Sequence, residues 1–150
     1  MTGKGAVVGC NTSVEDSQFR AAVDTGTFPI DQFDHRAHLR LAYIYLAATE
    51  CLASSVELVK TALTGLLTQA GVPPSEKYHA TLTEAWLNLV AARMHSNKTT
   101  YRDAADFLHR HADLLDTKLL LTYYSESCLY SEVARNTFQE PDVSAFSSHQ

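Results

Sequence analysis

No stretch of this sequence approaches the ~20 consecutive apolar residues of a membrane-spanning helix. The only early apolar run, Ala6-Val7-Val8, is shorter than the roughly 7–15 residues of a signal-peptide core, which also discounts a lipoprotein reading of Val8-Gly9-Cys10. Basic residues are few and scattered: 12 Lys+Arg stand against 17 Asp+Glu, for a net charge of −5. Non-specific nucleic-acid binding needs a basic footprint, and an acidic surface does not favour anionic lipids, so neither partner is expected. Cysteine is scarce as well. Cys10, Cys51 and Cys128 are odd in number, widely spaced and without a C-x-x-C, which argues against a disulfide framework or a structural zinc site. Free thiols in a cytoplasmic protein are the expectation. Asn11-Thr12-Ser13 and Asn97-Lys98-Thr99 then never meet the glycosylation machinery.

Strand signals are missing too. No run keeps apolar/polar alternation, and the hairpin pairs N-G and D-G do not occur. There is no internal repeat, no H-E-x-x-H, and no G-K-[ST] ending to make Gly3-Lys4-Gly5 a phosphate loop.

What is present is helical periodicity. With 150 residues, 45% of them hydrophobic, the chain suits one core in one domain. The expected fold is all-α, a single-domain helical bundle of five to seven helices. Residues 1–12 read as a flexible tail, 13–140 as the helical domain and 141–150 as a C-terminal tail. Ser13 caps a short helix that Gly26 ends. Asp31 is the expected cap of a long helix over Ile30–Leu52, apolar around most of its circumference, with Arg36, Arg40 and Tyr43 as a narrow polar stripe. Ser54-Ser55-Val56-Glu57 has the form of a capping box opening a helix that stops near Gly71. Ser75 is the expected cap of a helix to His95. Ser96-Asn97-Lys98 breaks the chain, and a helix restarts near Thr100. Asp116 caps an apolar segment over Leu119–Tyr124, Ser125-Glu126-Ser127 interrupts it, and a last helix runs from about Leu129 to Phe138.

The candidate site lies on the two longest apolar helices. His35 and His38 are three apart and share a helix side. Asp34 stands four before His38, placed to orient its ring and fix its tautomer. His35 follows its expected cap by four residues, and so does His79. In an up-and-down bundle these two helices are parallel, so His35, His38 and His79 fall in one layer at one end. Helix starts disfavour imidazolium, and neutral imidazole is the form that ligates a metal or takes a proton. The three histidines are therefore expected as catalytic acid/base groups or as ligands of a divalent metal ion. Tyr45, Thr83, Tyr123 and Arg36 are expected to line a substrate pocket, Arg36 as an anion contact. Glu84 points to the other face of its helix. Glu76 reads as a first-turn residue, since the second E-x-x-H of a carboxylate di-iron bundle is missing. His109 and His111 suit a solvated helix end, and His149 the polar tail.

Phe33-Asp34-His35-Arg36-Ala37-His38-Leu39, Tyr78-His79-Ala80-Thr81-Leu82-Thr83, Tyr123-Tyr124-Ser125 and Ala134-Arg135 with Pro141-Asp142 together resemble a small group of uncharacterised bacterial all-helical proteins. The resemblance covers about residues 28–146. It implies a helical fold, points to the same histidines, and implies no activity.

The functional expectation is a small cytoplasmic protein with a buried histidine-lined site. It would act as an enzyme on a small molecule, through metal-assisted or histidine acid/base chemistry. The alternative is a non-catalytic ligand-binding or protein-interaction module in which the histidines are structural. The expected partner is a small-molecule substrate or ligand, with a homodimer left open.

Overall fold

The computed structural model describes residues 9–95 and 100–146. The Gly3-Lys4-Gly5 and Ala6-Val7-Val8 runs, the Ser96-Asn97-Lys98 break with its Asn97 sequon, and His149 lie outside the described residues. The fold is an all-α bundle, and no strand occurs among the described residues.

Helix α1 spans Val14–Asp24. Ser13 caps it through a reciprocal capping box with Asp16, as the S-x-x-D spacing favours. The long helix expected from Ile30 is divided. A single 3-10 turn covers Ile30–Gln32, and helix α2 runs His35–Thr49 with Asp34, not Asp31, as its cap. The cause is aromatic packing. Phe33 stacks on Phe19 of α1 at 6.5 Å and meets Phe28 edge-on at 6.1 Å. Holding that ring against α1 turns the chain at residue 33, and the Asp34 carboxylate then accepts from the Ala37 N–H at 2.9 Å. Glu50, in the left-handed region at φ 57°, ends the helix.

Helix α3 covers Leu52–Gln69 and starts ahead of the expected Ser54. The thiol of Cys51 takes the capping position and accepts from the Ser54 N–H. Ser55 is buried and pairs with Thr49 at 2.8 Å. The next helix is divided as well. A single turn, α4 (Pro74–Lys77), is followed by extended Tyr78, and α5 begins only at Ala80 and runs to His95. Helix α6 is Ala104–Arg110, capped by Asp103. Short 3-10 turns cover 112–115 and 117–122. The last helix, expected over about Leu129–Phe138, is shorter, α8 (Glu132–Asn136) capped by Ser131, and a single turn, α7 (Glu126–Leu129) capped by Ser125, precedes it. The serine run expected to interrupt the chain instead starts a helix.

Helix α2 is central, packing on α1, α3, α5 and α6. The polar stripe expected on it reduces to one exposed residue, Arg36. Tyr43 is fully buried, and its hydroxyl donates to the Asn11 carbonyl at 2.8 Å. Arg40 lies over the Phe19 ring and pairs with Asp16 at 3.0 Å, a carboxylate only 2% exposed. That carboxylate also accepts from the Ala104 N–H, which ties α6 to α1 and α2. The packed chain reaches beyond 13–140 on both sides. Cys10 is buried and bridges to Tyr101, and Phe146 packs against Tyr123 and Tyr124. No helix among the described residues is long and apolar enough to cross a membrane.

Candidate functional site

The starts of α2 and α5 meet at one end of the bundle. Between them lies a cavity of about 390 Å³ lined by His35, His38 and His79. Its apolar walls come from Phe33 and Ile30 ahead of α2, Leu63 and Leu67 of α3, and Leu82 of α5; Tyr78 and Thr83 complete them. The cavity follows from the two divided helices. Each break places a histidine at or beside a helix start, where its ring can reach backbone groups of the neighbouring turn.

Each imidazole has a different environment. His35, the first residue of α2, sits 4.5 Å from the Trp86 ring, and its Nε2 lies 2.9 Å from the Leu114 carbonyl. A carbonyl only accepts, so that nitrogen carries the proton. His79 has both ring nitrogens engaged. Its Nδ1 accepts from the Leu82 N–H at 3.0 Å, and its Nε2 donates to the Leu129 carbonyl at 3.1 Å. His79 thus performs the capping task expected of Ser75, at the start of α5 and not one turn inside it. Burial pushes its pKa down, Arg135 adds to that, and the Leu129 carbonyl opposes it.

His38 differs from both. The residue is partly exposed, yet its Nε2 is sealed from solvent and has no hydrogen-bond partner. It is the one such buried side-chain nitrogen or oxygen among the described residues. Burial pushes the His38 pKa down to about 4, and the neighbouring His35 adds to the shift. At neutral pH the ring is therefore uncharged. The ring of Phe33 lies 6.5 Å from it.

The other expected site residues divide. Thr83 lines the cavity, buried, beside Tyr78. Asp34 is at the cavity, but its carboxylate caps α2 through Ala37 and is not engaged by His38. Tyr45 is on the His38 side of α2 but two turns further along. There its hydroxyl donates to Asp24 under the Arg20 guanidinium, in a separate cavity beside Gly26 and Ala62. Tyr123 is buried against Phe146, with its carbonyl accepting from Val143 and Ser144, and does not line the histidine cavity. Arg36 is exposed and lines none of the described cavities nearby. Glu84 lines a different cavity with Glu57 and Tyr78, in keeping with its expected direction away from the histidines. His111, expected in solvent, is half-buried with Nε2 2.8 Å from the Tyr101 hydroxyl.

The expected metal ligands are His35, His38 and His79. Among the described residues no group of three or more His, Cys, Asp or Glu is arranged to hold a metal ion. His79 has no lone pair free for a ligand, since its Nδ1 accepts and its Nε2 donates, whereas His35 donates from Nε2 and keeps the lone pair of Nδ1.

Sequence reasoning missed Phe33, Tyr78, Leu63 and Leu67 as walls. Tyr78 adjoins His79, and Leu63 and Leu67 are four apart on one side of α3, so a signal existed. It was indistinguishable from ordinary core periodicity. No protein-family model, no curated protein and no solved structure matches this chain.

Proposed function

We propose that this protein binds a small molecule in the cavity between the starts of α2 and α5, with His38 as the polar contact. The observation that carries the reading is the unpartnered, sealed Nε2 of His38 beside a mainly apolar cavity. A buried polar atom without a partner costs about 1–3 kcal/mol, so folds retain one where it serves a purpose. The cavity volume is near the lower end of the range for small-molecule sites, and mostly apolar walls with a few convergent polar groups are their usual make-up.

Binding is better supported than proton abstraction. A base with a pKa near 4 has little driving force to take a proton at neutral pH, where the best general bases lie near 7. The enzymatic reading keeps one specific support, the presence of three imidazoles on a single cavity. The test is a small-molecule library screened by NMR on protein labelled at its histidine rings, with wild type and His38→Ala in parallel. Ligands that move the rings of His35, His38 and His79 in the wild type, and bind weakly to a folded His38→Ala, support the site. A library that moves none of these rings removes it, and turnover of a hit would promote the enzymatic reading.

A further inference from the structure

The cavity chemistry narrows the class of molecule. Its walls are mainly carbon, and five of the side chains on it, Phe33, Tyr78 and the three histidines, are flat rings suited to stacking or edge contact with another ring. The two formally charged residues at it, Asp34 and Lys77, are both exposed, and the Asp34 carboxylate is occupied in capping α2. Three of the four ring nitrogens that His35 and His79 bring are engaged with backbone groups. The polar atom left in want of a partner is Nε2 of His38.

We propose that the cavity takes a neutral aromatic molecule bearing a hydroxyl group, a phenol, whose ring lies against the Phe33 and Tyr78 walls and whose hydroxyl pairs with Nε2 of His38. The proposal rests on the small-molecule reading above and names the ligand class for that site. A hydroxyl both donates and accepts, so it pairs with Nε2 whether or not that nitrogen carries the ring proton. An apolar ring without it leaves the nitrogen orphaned. A carboxylate driven to the same depth loses its hydration and meets an uncharged imidazole, which gives it no counter-charge. An ammonium meets no carboxylate inside, because the one at the cavity is exposed. Since Nε2 is sealed, the hydroxyl reaches it through a rotation of the His38 ring or of the side chain over it. Pairing therefore changes the magnetic environment of that ring, which gives a direct readout.

The experiment titrates phenol, benzene and benzoate separately into wild type and His38→Leu, each labelled with ¹⁵N at the histidine rings. In the wild type, phenol binds about tenfold more tightly than benzene, the difference one neutral hydrogen bond to a buried atom makes. Benzoate binds more weakly than phenol. In His38→Leu the phenol-to-benzene ratio falls to about one, while benzene still binds. A wild-type measurement keeps the proposal exposed if the variant misfolds: phenol moves the His38 Nε2 resonance further than benzene does. Benzoate binding more tightly than phenol overturns the ligand class and leaves the small-molecule reading standing; a phenol preference unchanged in His38→Leu overturns the ligand class and His38 as the polar contact, while wild-type ring shifts still support a molecule in the cavity. All three probes leaving the rings of His35, His38 and His79 unmoved overturns both.

Discussion

The burial of His38 makes stability depend on pH in a defined window. In the unfolded chain this imidazole has an ordinary pKa of 6.5, and in the fold burial lowers it to about 4. Below pH 6.5 the unfolded state binds a proton that the folded state refuses. Stability from this group is thus fully present above pH 6.5 and is lost as pH falls toward 4. At 1.36 kcal/mol per pKa unit the whole loss is about 3 kcal/mol, a sizeable part of the roughly 5–15 kcal/mol that holds a typical domain together. His79 and His111 are lowered too, by burial first, and steepen the same window. The carboxylates of Asp106, Asp113 and Asp142 are held below the ordinary 3.8 by hydrogen bonds, so their contribution fades only in stronger acid. Comparison with His38→Leu isolates the one ring. Leucine is close to it in size and cannot protonate. At pH 7.5 the variant is more stable than wild type by about 1–2 kcal/mol, because it removes an unpartnered buried nitrogen, less a small packing mismatch. At pH 4.5 its advantage has grown by a further ~2.5 kcal/mol, most of the full linkage. Urea unfolding followed by far-ultraviolet circular dichroism at half-unit pH steps measures both numbers. Parallel stability curves for wild type and variant between pH 7.5 and 4.5 would refute the buried neutral ring and the reading of the cavity that depends on it.

His79→Ala removes the ring that accepts from Leu82 N–H and donates to the Leu129 carbonyl, and is expected to cost about 1–3 kcal/mol in urea unfolding. Its amide at Leu82 should exchange faster with deuterium than in wild type; unchanged exchange there would remove the capping role. Asp16→Ala strips the partner from Arg40 and the acceptor from Ala104 N–H, and is expected to cost about 3 kcal/mol by the same unfolding assay. A loss under 1 kcal/mol would mean that the α1–α2–α6 junction rests on apolar packing alone. Gly26→Ala should be worse than Gly71→Ala, though both have positive φ, 76° and 79°. A Cβ at residue 26 falls 2.7 Å from Gln69 Cγ, whereas nothing lies within 4 Å at residue 71, so thermal midpoints should fall for both and further for the first.

Local chemistry in the sequence was enough for the all-α class, because apolar periodicity and caps act within a few residues. Ser13 with Asp16, and Asp103 ahead of α6, perform the tasks their positions favour. The shared placement of His35, His38 and His79 on one cavity was legible as well, since two helices that start at the same end carry their first turns to the same level. Helix starts were less legible. Asp31 and Asp34 are equally good caps by type, and the packing of Phe33 on Phe19 and Phe28 chose between them; Ser75 is the better cap by type than His79, yet the ring of His79 takes the Leu82 N–H at the start of α5. The state of each imidazole was decided by the tertiary fold alone. Leu114 is 79 residues from His35 and Leu129 is 50 from His79, so no local pattern announces that their carbonyls will claim those rings. The same holds for the nitrogen of His38 that none of them reaches. A side chain type fixes how many hydrogen bonds a residue can make; only the folded arrangement fixes which of them are left over.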